Sequence, residues 1–511
     1  MNKHNWLTLI KYLQKIAWAL FLIFLPVTSF PYFPPTIGGS VLVRPLSLYP
    51  LLILLIIATL PYIFTKRLSP TLISLVPFII VVLGSSLLAL GEGLQSTLNI
   101  PVAERTLRAL ITLGVGVAIF ITVAVIPRNR EDLDASLRWI YFGFSAALLW
   151  GSLQAVYVLH FSRKYYRTLN RIQQYLSTRR LFTIRISGLT YEPNWFADQI
   201  TFLLLPWLLA SVITGKTVFP WRRRWLTLEW LLLVWSVAVL LFTYSRAGLI
   251  IMIVLAAASL LFLRPVHRQP GKKPWLSGWS RRLLEASVAV VMMGTVIFFA
   301  GRNNDFFSRI WNYWRERENT SVTEYLEYLA FGARFFYGET ALEIFNDNPI
   351  IGVGIGNFAY YFDEYLPDRP IAPTPEVLRL LTPEGSRNRL VTPKIFYLRI
   401  LAETGLVGMA AFAAFLLAIF GNALFLWLSP PGNSEAKFWG TAGILGFIAF
   451  ILAAFTFDSF ALPNTWVVFG MITASSWVIH RSRKGERSME YTPKTNQTGS
   501  SIPILPQYID P

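Results

Sequence analysis

The chain has 511 residues and no cysteine. Disulfides, thiolate metal centres and cysteine nucleophiles are therefore excluded. Histidine is scarce too: His4, His160, His267 and His480 lie far apart and show no metal-ligand spacing. Only 14% of residues are charged, against about 25% in ordinary soluble domains. Acidic residues are the scarcer half, 28 Asp and Glu against 46 Lys and Arg, which leaves a formal net charge of +18. In a soluble chain that balance would suit nucleic acid. In a chain that is 54% hydrophobic it points to membrane anchoring and contact with anionic membrane lipids, and nucleic acid is not an expected partner.

What the chain has in quantity is apolar runs near the ~20 residues that cross a bilayer. The sequence predicts an all-α, polytopic integral membrane protein with about twelve transmembrane helices. They fall near 16–30, 45–64, 72–90, 107–126, 137–159, 195–214, 225–243, 247–263, 283–300, 396–427, 438–457 and 462–480. Lys3, Lys11 and Lys15 precede the first run as in a signal peptide. Phe30-Pro-Tyr-Phe-Pro-Pro35 follows instead of a small-residue cleavage site, so the run is read as an uncleaved span. Residues 1–480 form one membrane domain, with a large external loop at 301–395 between spans 9 and 10. Residues 481–511 are polar and read as a disordered cytoplasmic tail.

Lys and Arg in the short loops set the orientation. With the N-terminus inside, the inner loops carry Lys66-Arg67, Arg128 and Arg130, and Lys216 with Arg222 to Arg224. The tail adds Arg481, Arg483, Lys484 and Arg487. Both termini are then cytoplasmic. One short external loop, 160–194, breaks the pattern with Arg163, Lys164, Arg167, Arg171, Arg179, Arg180 and Arg185. A positive loop on that side is a candidate for binding an anion. Tyr165, Leu169, Ile172 and Leu176 recur among these arginines at helical spacing. That predicts a cationic interfacial helix, whose simplest role is lipid anchoring.

The end of this loop differs in kind. Gly188 permits a tight turn, Pro193 suits a first helical turn, and Glu192 sits near a helix N-terminus. A well-capped helix start accounts for Glu192, Pro193 and Asn194, but not for Arg185. Arg246 lies in the short outer turn Phe242-Thr-Tyr-Ser-Arg-Ala-Gly248, where snorkelling is its simplest role. Arg334, on a predicted external helix, gives a third arginine. The planar guanidinium binds phosphate oxygens in pairs and keeps its charge in a low-dielectric site. Three such groups converging outside the bilayer would suit a lipid-linked diphosphate. Arg399 and Glu403, four apart on the tenth span, pair on one helix face. Gly352-Val-Gly-Ile-Gly356 has neither the spacing nor the context of a dinucleotide fingerprint.

The matching pieces are Arg185-x-x-Gly188 with Pro193-Asn194, Tyr244-Ser-Arg-Ala-Gly248, Arg334 and Asn348-Pro349. The Gly352-x-Gly354-x-Gly356-x-Phe358 turn follows, then Tyr397-Leu398 and Glu403-x-Gly405. Together they resemble the O-antigen ligase and polymerase superfamily of membrane glycosyltransferases, over residues 40–480. No motif is specific alone; their order and the long loop carry the resemblance. It implies transfer or polymerisation of a glycan from an undecaprenyl-diphosphate carrier to a lipid or glycan acceptor. It implies no metal and no cofactor, and a site on the outer face of the bacterial plasma membrane. Arg185 and Arg246, with Arg334, would hold the donor diphosphate.

The acceptor hydroxyl must lose its proton as it attacks. Ligases of this family commonly carry histidine four residues before the leucine matching Leu398, where this chain has Lys394. An ordinary lysine is a poor base near neutral pH. Lys394, Glu192 and Glu403 therefore stand as candidates for the catalytic base, with Lys394 alternatively a phosphate contact. The substitution favours a polymerase, or a transferase for another surface polysaccharide, over a lipid A–core ligase. The alternative class is a transporter or flippase for a lipid-linked or anionic solute. Such proteins place ionisable groups near the bilayer midplane. Here Asp198, Arg399 and Glu403 lie toward the outer ends of predicted spans.

Overall fold

The computed structural model describes the chain except residues 1–2, 33–42, 92, 95, 97–98, 225, 264–277, 317–320, 327–328, 330–331, 368–389, 431–432 and 491–511. The first helices are α1 (Lys3–Ile23), α2 (Leu48–Thr65), α3 (Pro70–Gly91), α4 (Val102–Val125), α5 (Arg130–Leu159) and α6 (Arg163–Gln173). Next come α7 (Pro193–Thr214), α8 (Leu228–Phe242), α9 (Arg246–Leu261) and α10 (Gly278–Gly301). The long loop contributes α11 (Asp305–Glu316), α12 (Val322–Leu326), α13 (Gly332–Asp347) and α14 (Phe358–Tyr361). The last three are α15 (Phe396–Trp427), α16 (Ser434–Ala453) and α17 (Pro463–Glu490). The strands among the described residues are β1 (Arg222–Arg223) and β2 (Leu226–Thr227), a minimal antiparallel pair.

Eight described helices are long and apolar enough to cross a bilayer: α2, α3, α4, α5, α7, the Arg282–Gly301 part of α10, α15 and α16. The expected fold is thus met as a mostly helical protein with eight candidate spans rather than twelve. α8 and α9 are apolar but shorter. α1 and α17 overlie the first and last predicted spans. α1 ends at Ile23, earlier than predicted, because Pro26 cannot continue it; Ser29 then bridges Arg44. Large side chains such as Leu52, Ile56, Leu87, Val291 and Leu417 face outward. A belt of that kind suits lipid, not water.

Prolines shape two spans. π-helical turns at Leu55–Thr59 and Gln199–Leu204 precede Pro61 and Pro206. Each ring lacks an N–H and pushes away the carbonyl four residues back, which widens the turn.

The predicted tenth span, 396–427, is met by α15, but not as one continuous helix. A continuous 32-residue helix would run about 48 Å, well beyond the ~30 Å hydrocarbon core. α15 breaks at Gly405 (φ 63°, ψ −165°). The loop after α13 fills the break: Leu406 N–H donates to Pro349 O (2.8 Å) and Val407 N–H to Ile350 O (3.1 Å). In return, Val353 N–H donates to Ala402 O (3.0 Å) and Gly354 N–H to Glu403 O (2.9 Å). A Cβ on Gly405 would lie 2.3 Å from Ile350 O, and one on Gly352 would lie 2.5 Å from Thr404 N. The glycine-rich turn therefore serves as a backbone plug for a broken helix.

α16 sits centrally, against α7, α9, α15 and α17, while α17 also packs on α4. Trp207 and Trp439 meet edge to face at 5.5 Å. The basic helix α6 docks on the end of α5 through Leu169 and Gln173. Trp150 Nε1 donates to Gln173 Oε1 (2.8 Å) and Tyr166 Oη to Leu181 O (2.7 Å). Ile172, expected on the same apolar face, is exposed. Pro370, Pro373, Pro375 and Pro383, and residues 491–511 of the expected tail, lie outside the described residues.

Candidate functional site

Helix direction alternates through the bundle. The start of α4, the end of α5, the start of α7, the turn between α8 and α9, and the start of α15 therefore share one end. Two cationic clusters lie there.

The first is built around Arg185. Gln154 of α5, fully buried, holds the turn before α7: its Oε1 accepts from Ser187 N–H (2.9 Å) and Gly188 N–H (3.1 Å). Its Nε2 donates to Gly188 O (3.0 Å). Gly188 has φ 54°, and a Cβ there would strike the Phe196 ring at 2.7 Å. Ile186 N–H donates to Phe242 O (3.1 Å), tying the turn to the end of α8.

Arg185 is thereby buried. Its Nε donates to Thr243 O (2.8 Å) and its Nη2 to Asn194 Oδ1 (2.8 Å). Its guanidinium carbon lies 4.2 Å from the Phe306 ring centroid, and that of Arg246 lies 5.0 Å from the same centroid. Arg246 also donates to Leu329 O (2.7 Å) and Phe306 O (3.0 Å). Among the described residues no carboxylate forms an ion pair with Arg185. Burial draws its guanidinium down to about 10, with Glu192 opposing and Arg246 and Arg179 adding to the fall.

Glu192 is engaged by Arg179 (Nη1 to Oε1, 2.6 Å), which also stacks on Phe182 and Tyr191. Tyr244, just before Arg246, holds φ 47°. A left-handed non-glycine residue costs roughly 1 kcal/mol and is concentrated at functional sites.

The second cluster gathers on the segment between α16 and α17. Lys394 is also left-handed (φ 62°). Its N–H donates to Asp458 Oδ2 (3.0 Å), and its ammonium lies 5.9 Å from the Tyr337 ring centroid. Arg399 Nη1 donates to Asp458 O (2.5 Å), and Arg399 Nε meets Glu403 Oε2 at 3.0 Å. Burial pushes the Asp458 carboxyl up, but Lys394, Arg399 and the Thr392 hydroxyl hold it below its ordinary value. Arg334 donates to Phe455 O (2.8 Å) and Thr456 O (3.3 Å). Arg105 of α4 donates to Gly356 O (3.1 Å) and faces the charges of Arg399, Glu403 and Asp458.

Residues 231–413 match the family model described as O-antigen ligase. Over these residues the chain is similar to that family, which supports a place in the O-antigen ligase and polymerase superfamily. The matched segment includes Arg246, Arg334, Lys394 and Glu403, and stops short of Arg185 and Asp458. No curated protein matches the chain. The family match, with the apolar helices, supports a membrane enzyme related to surface polysaccharide.

Against that family's expected site, the structure joins Arg185 and Arg246 on one ring and places Arg334 with the second cluster. Lys394 and Glu403 lie in the second cluster, and Glu192 beside the first. Phe306, Gln154, Arg105, Asp458 and Tyr337 were not singled out from sequence. Asp458 alone had a signal, as a carboxylate in the polar turn between two apolar runs. Among the described residues no three His, Cys, Asp or Glu side chains gather in the manner of a metal site.

Proposed function

We propose that this protein transfers or polymerises a surface glycan from an undecaprenyl-diphosphate carrier at the outer face of the bacterial plasma membrane. The observation that carries this reading is Arg185. It is a buried guanidinium held by neutral acceptors, sharing the Phe306 ring with a second arginine. A buried charge that lacks an opposite charge is costly, and a diphosphate supplies one. The family match to O-antigen ligase supports the choice of a lipid-linked glycan.

In this reading α1, α8, α9 and α17 join the eight longer helices as spans. Both termini are cytoplasmic, and the 301–395 loop covers the outer face. The acceptor hydroxyl oxygen bonds to the anomeric carbon of the donor sugar as the bond to the carrier phosphate breaks. Arg185 and Arg246 stabilise the charge on the departing diphosphate. Arg334 fixes the 455–456 backbone between the clusters. Lys394 is the acceptor-side residue, because Glu192 and Glu403 are both engaged by arginines; its ammonium must first lose a proton to solvent, and the free amine then takes the hydroxyl proton. The clustering of these groups at one end of the bundle favours surface chemistry over passage of a solute.

In proteoliposomes containing a carrier-linked glycan, Arg185→Ala is expected to abolish transfer while the protein inserts normally. Full activity in that variant rules out the donor site. Sidedness is tested at Thr168, exposed on α6: a cysteine there should react with an impermeant thiol reagent from outside.

A further inference from the structure

Beside the second cluster, next to the Thr456 carbonyl that Arg334 binds, a small crevice lies between the start of α7, the stretch after α1 and the start of α17. Trp195 and Phe457 contribute to its walls. Thr28, Asp198, Gln199 and Asn464 line it, and each is more than nine-tenths buried. Each also leaves one oxygen buried without a hydrogen-bond partner: Thr28 Oγ1, Asp198 Oδ1, Gln199 Oε1 and Asn464 Oδ1. Gln199 is not misoriented, because its Nε2 donates to Leu25 O (3.1 Å). Asp198 Oδ2 is already turned to the Thr456 hydroxyl (3.5 Å).

Four orphaned oxygens in one crevice require a guest, since buried polar atoms without partners are costly. The space admits about one water-sized particle. Water is a poor match: it brings two protons to a carboxylate oxygen and two amide oxygens, all acceptors, plus a hydroxyl. It also leaves the carboxylate charge in place. A cation satisfies acceptors and charge together, and hard oxygen ligands of this kind suit small hard cations. One carboxylate balances one positive charge.

We propose that Asp198, Gln199, Asn464 and Thr28 form a binding site for one dehydrated, sodium-sized monovalent cation. The ion clamps the 456–464 stretch against α7. Arg334 donates to the Phe455 and Thr456 carbonyls in that stretch, so the ion also fixes where that arginine sits. The site is independent of whether the protein transfers glycan.

The test is thermal unfolding of the full-length protein in detergent, in NaCl or in choline chloride at equal ionic strength. Sodium should raise the unfolding midpoint saturably in the unaltered protein, and choline should not. Asp198→Asn keeps the shape, removes the charge and should abolish the increment. Thr28→Val is the milder variant and should raise the sodium concentration for half the shift several-fold. Equal midpoints in sodium and choline overturn the proposal in favour of a water or a protonated acid. An undiminished sodium response in both variants overturns it as well, since the ion then binds elsewhere.

Discussion

Arg185 and Arg399 invite comparison. Both are buried at the same end of the bundle, and both stack on a phenylalanine ring, Phe306 at 4.2 Å and Phe460 at 5.1 Å. They differ in what closes the fork. Arg399 faces the Glu403 carboxylate and the Asp458 carbonyl, with the Asp458 charge nearby. Arg185 faces a backbone carbonyl and an amide oxygen. A guanidinium closed by carboxylates is complete as a structural element. One held only by neutral dipoles keeps its charge and, in the proposed reading, receives an anion. Two arginines alike in burial and stacking therefore call for different roles.

The sharpest way to break this comparison is to truncate both sides. Arg185→Ala should lower glycan transfer by about 10³-fold, ~4 kcal/mol of transition-state stabilisation, with little change in unfolding midpoint. Arg185→Lys should recover little, because an ammonium cannot span Thr243 O and Asn194 Oδ1 as a fork. Wild-type transfer in Arg185→Ala erases the distinction. On the other side, Glu403→Gln leaves Arg399 buried without its ion-pair partner. The expected cost is about 3 kcal/mol of stability, read as a lower unfolding midpoint in detergent. Transfer per folded molecule should fall far less than in Arg185→Ala. If transfer collapses while the midpoint stays put, Glu403 is the base and the second cluster is the chemical one.

Lys394 sits at the edge of the paired cluster. Lys394→Ala should lower turnover by about 10²-fold with donor binding retained, if the amine acts on the acceptor. Lys394→Gly relieves a left-handed backbone (φ 62°) and should be about 1 kcal/mol more stable than Lys394→Ala, which lacks the same ammonium, while losing the same turnover. Parallel loss of donor binding in both variants reassigns Lys394 as a phosphate contact.

The legibility of this molecule from sequence follows the range of the interactions. Arg185 and Arg246 were readable because each sits in a short turn with local markers, Gly188 and Pro193 for one and Tyr244 to Gly248 for the other. Their meeting at Phe306 was not, because that ring arrives from the start of α11, and nothing local specifies it. The convergence of three arginines failed at Arg334 for the same reason: the carbonyls of residues 455 and 456 reach it first. The helix break at Gly405 was hidden because the apolar run continues through it, and a glycine in a helix pattern is tolerated. What decides the break is the glycine-rich turn some fifty residues earlier in the chain, whose backbone fills it. Sequence identified that turn as a turn, but not its partner.

The smallest expected effect concerns Asp458, which joins Lys394 to Arg399. Its carboxyl is held below the ordinary value by those cations, despite burial. A depressed carboxylate adds stability above its unfolded value of about 3.9, and that stability is lost as pH falls through the lower folded value. Asp458→Asn should therefore cost about 1 kcal/mol, evenly across pH 5 to 8. The gap between the two unfolding curves should close only below about pH 4. The measurement is the midpoint of both proteins against pH. A gap that changes between pH 6 and 8 assigns the titration to another group, and the Asp458 charge is then not part of what separates Arg399 from Arg185.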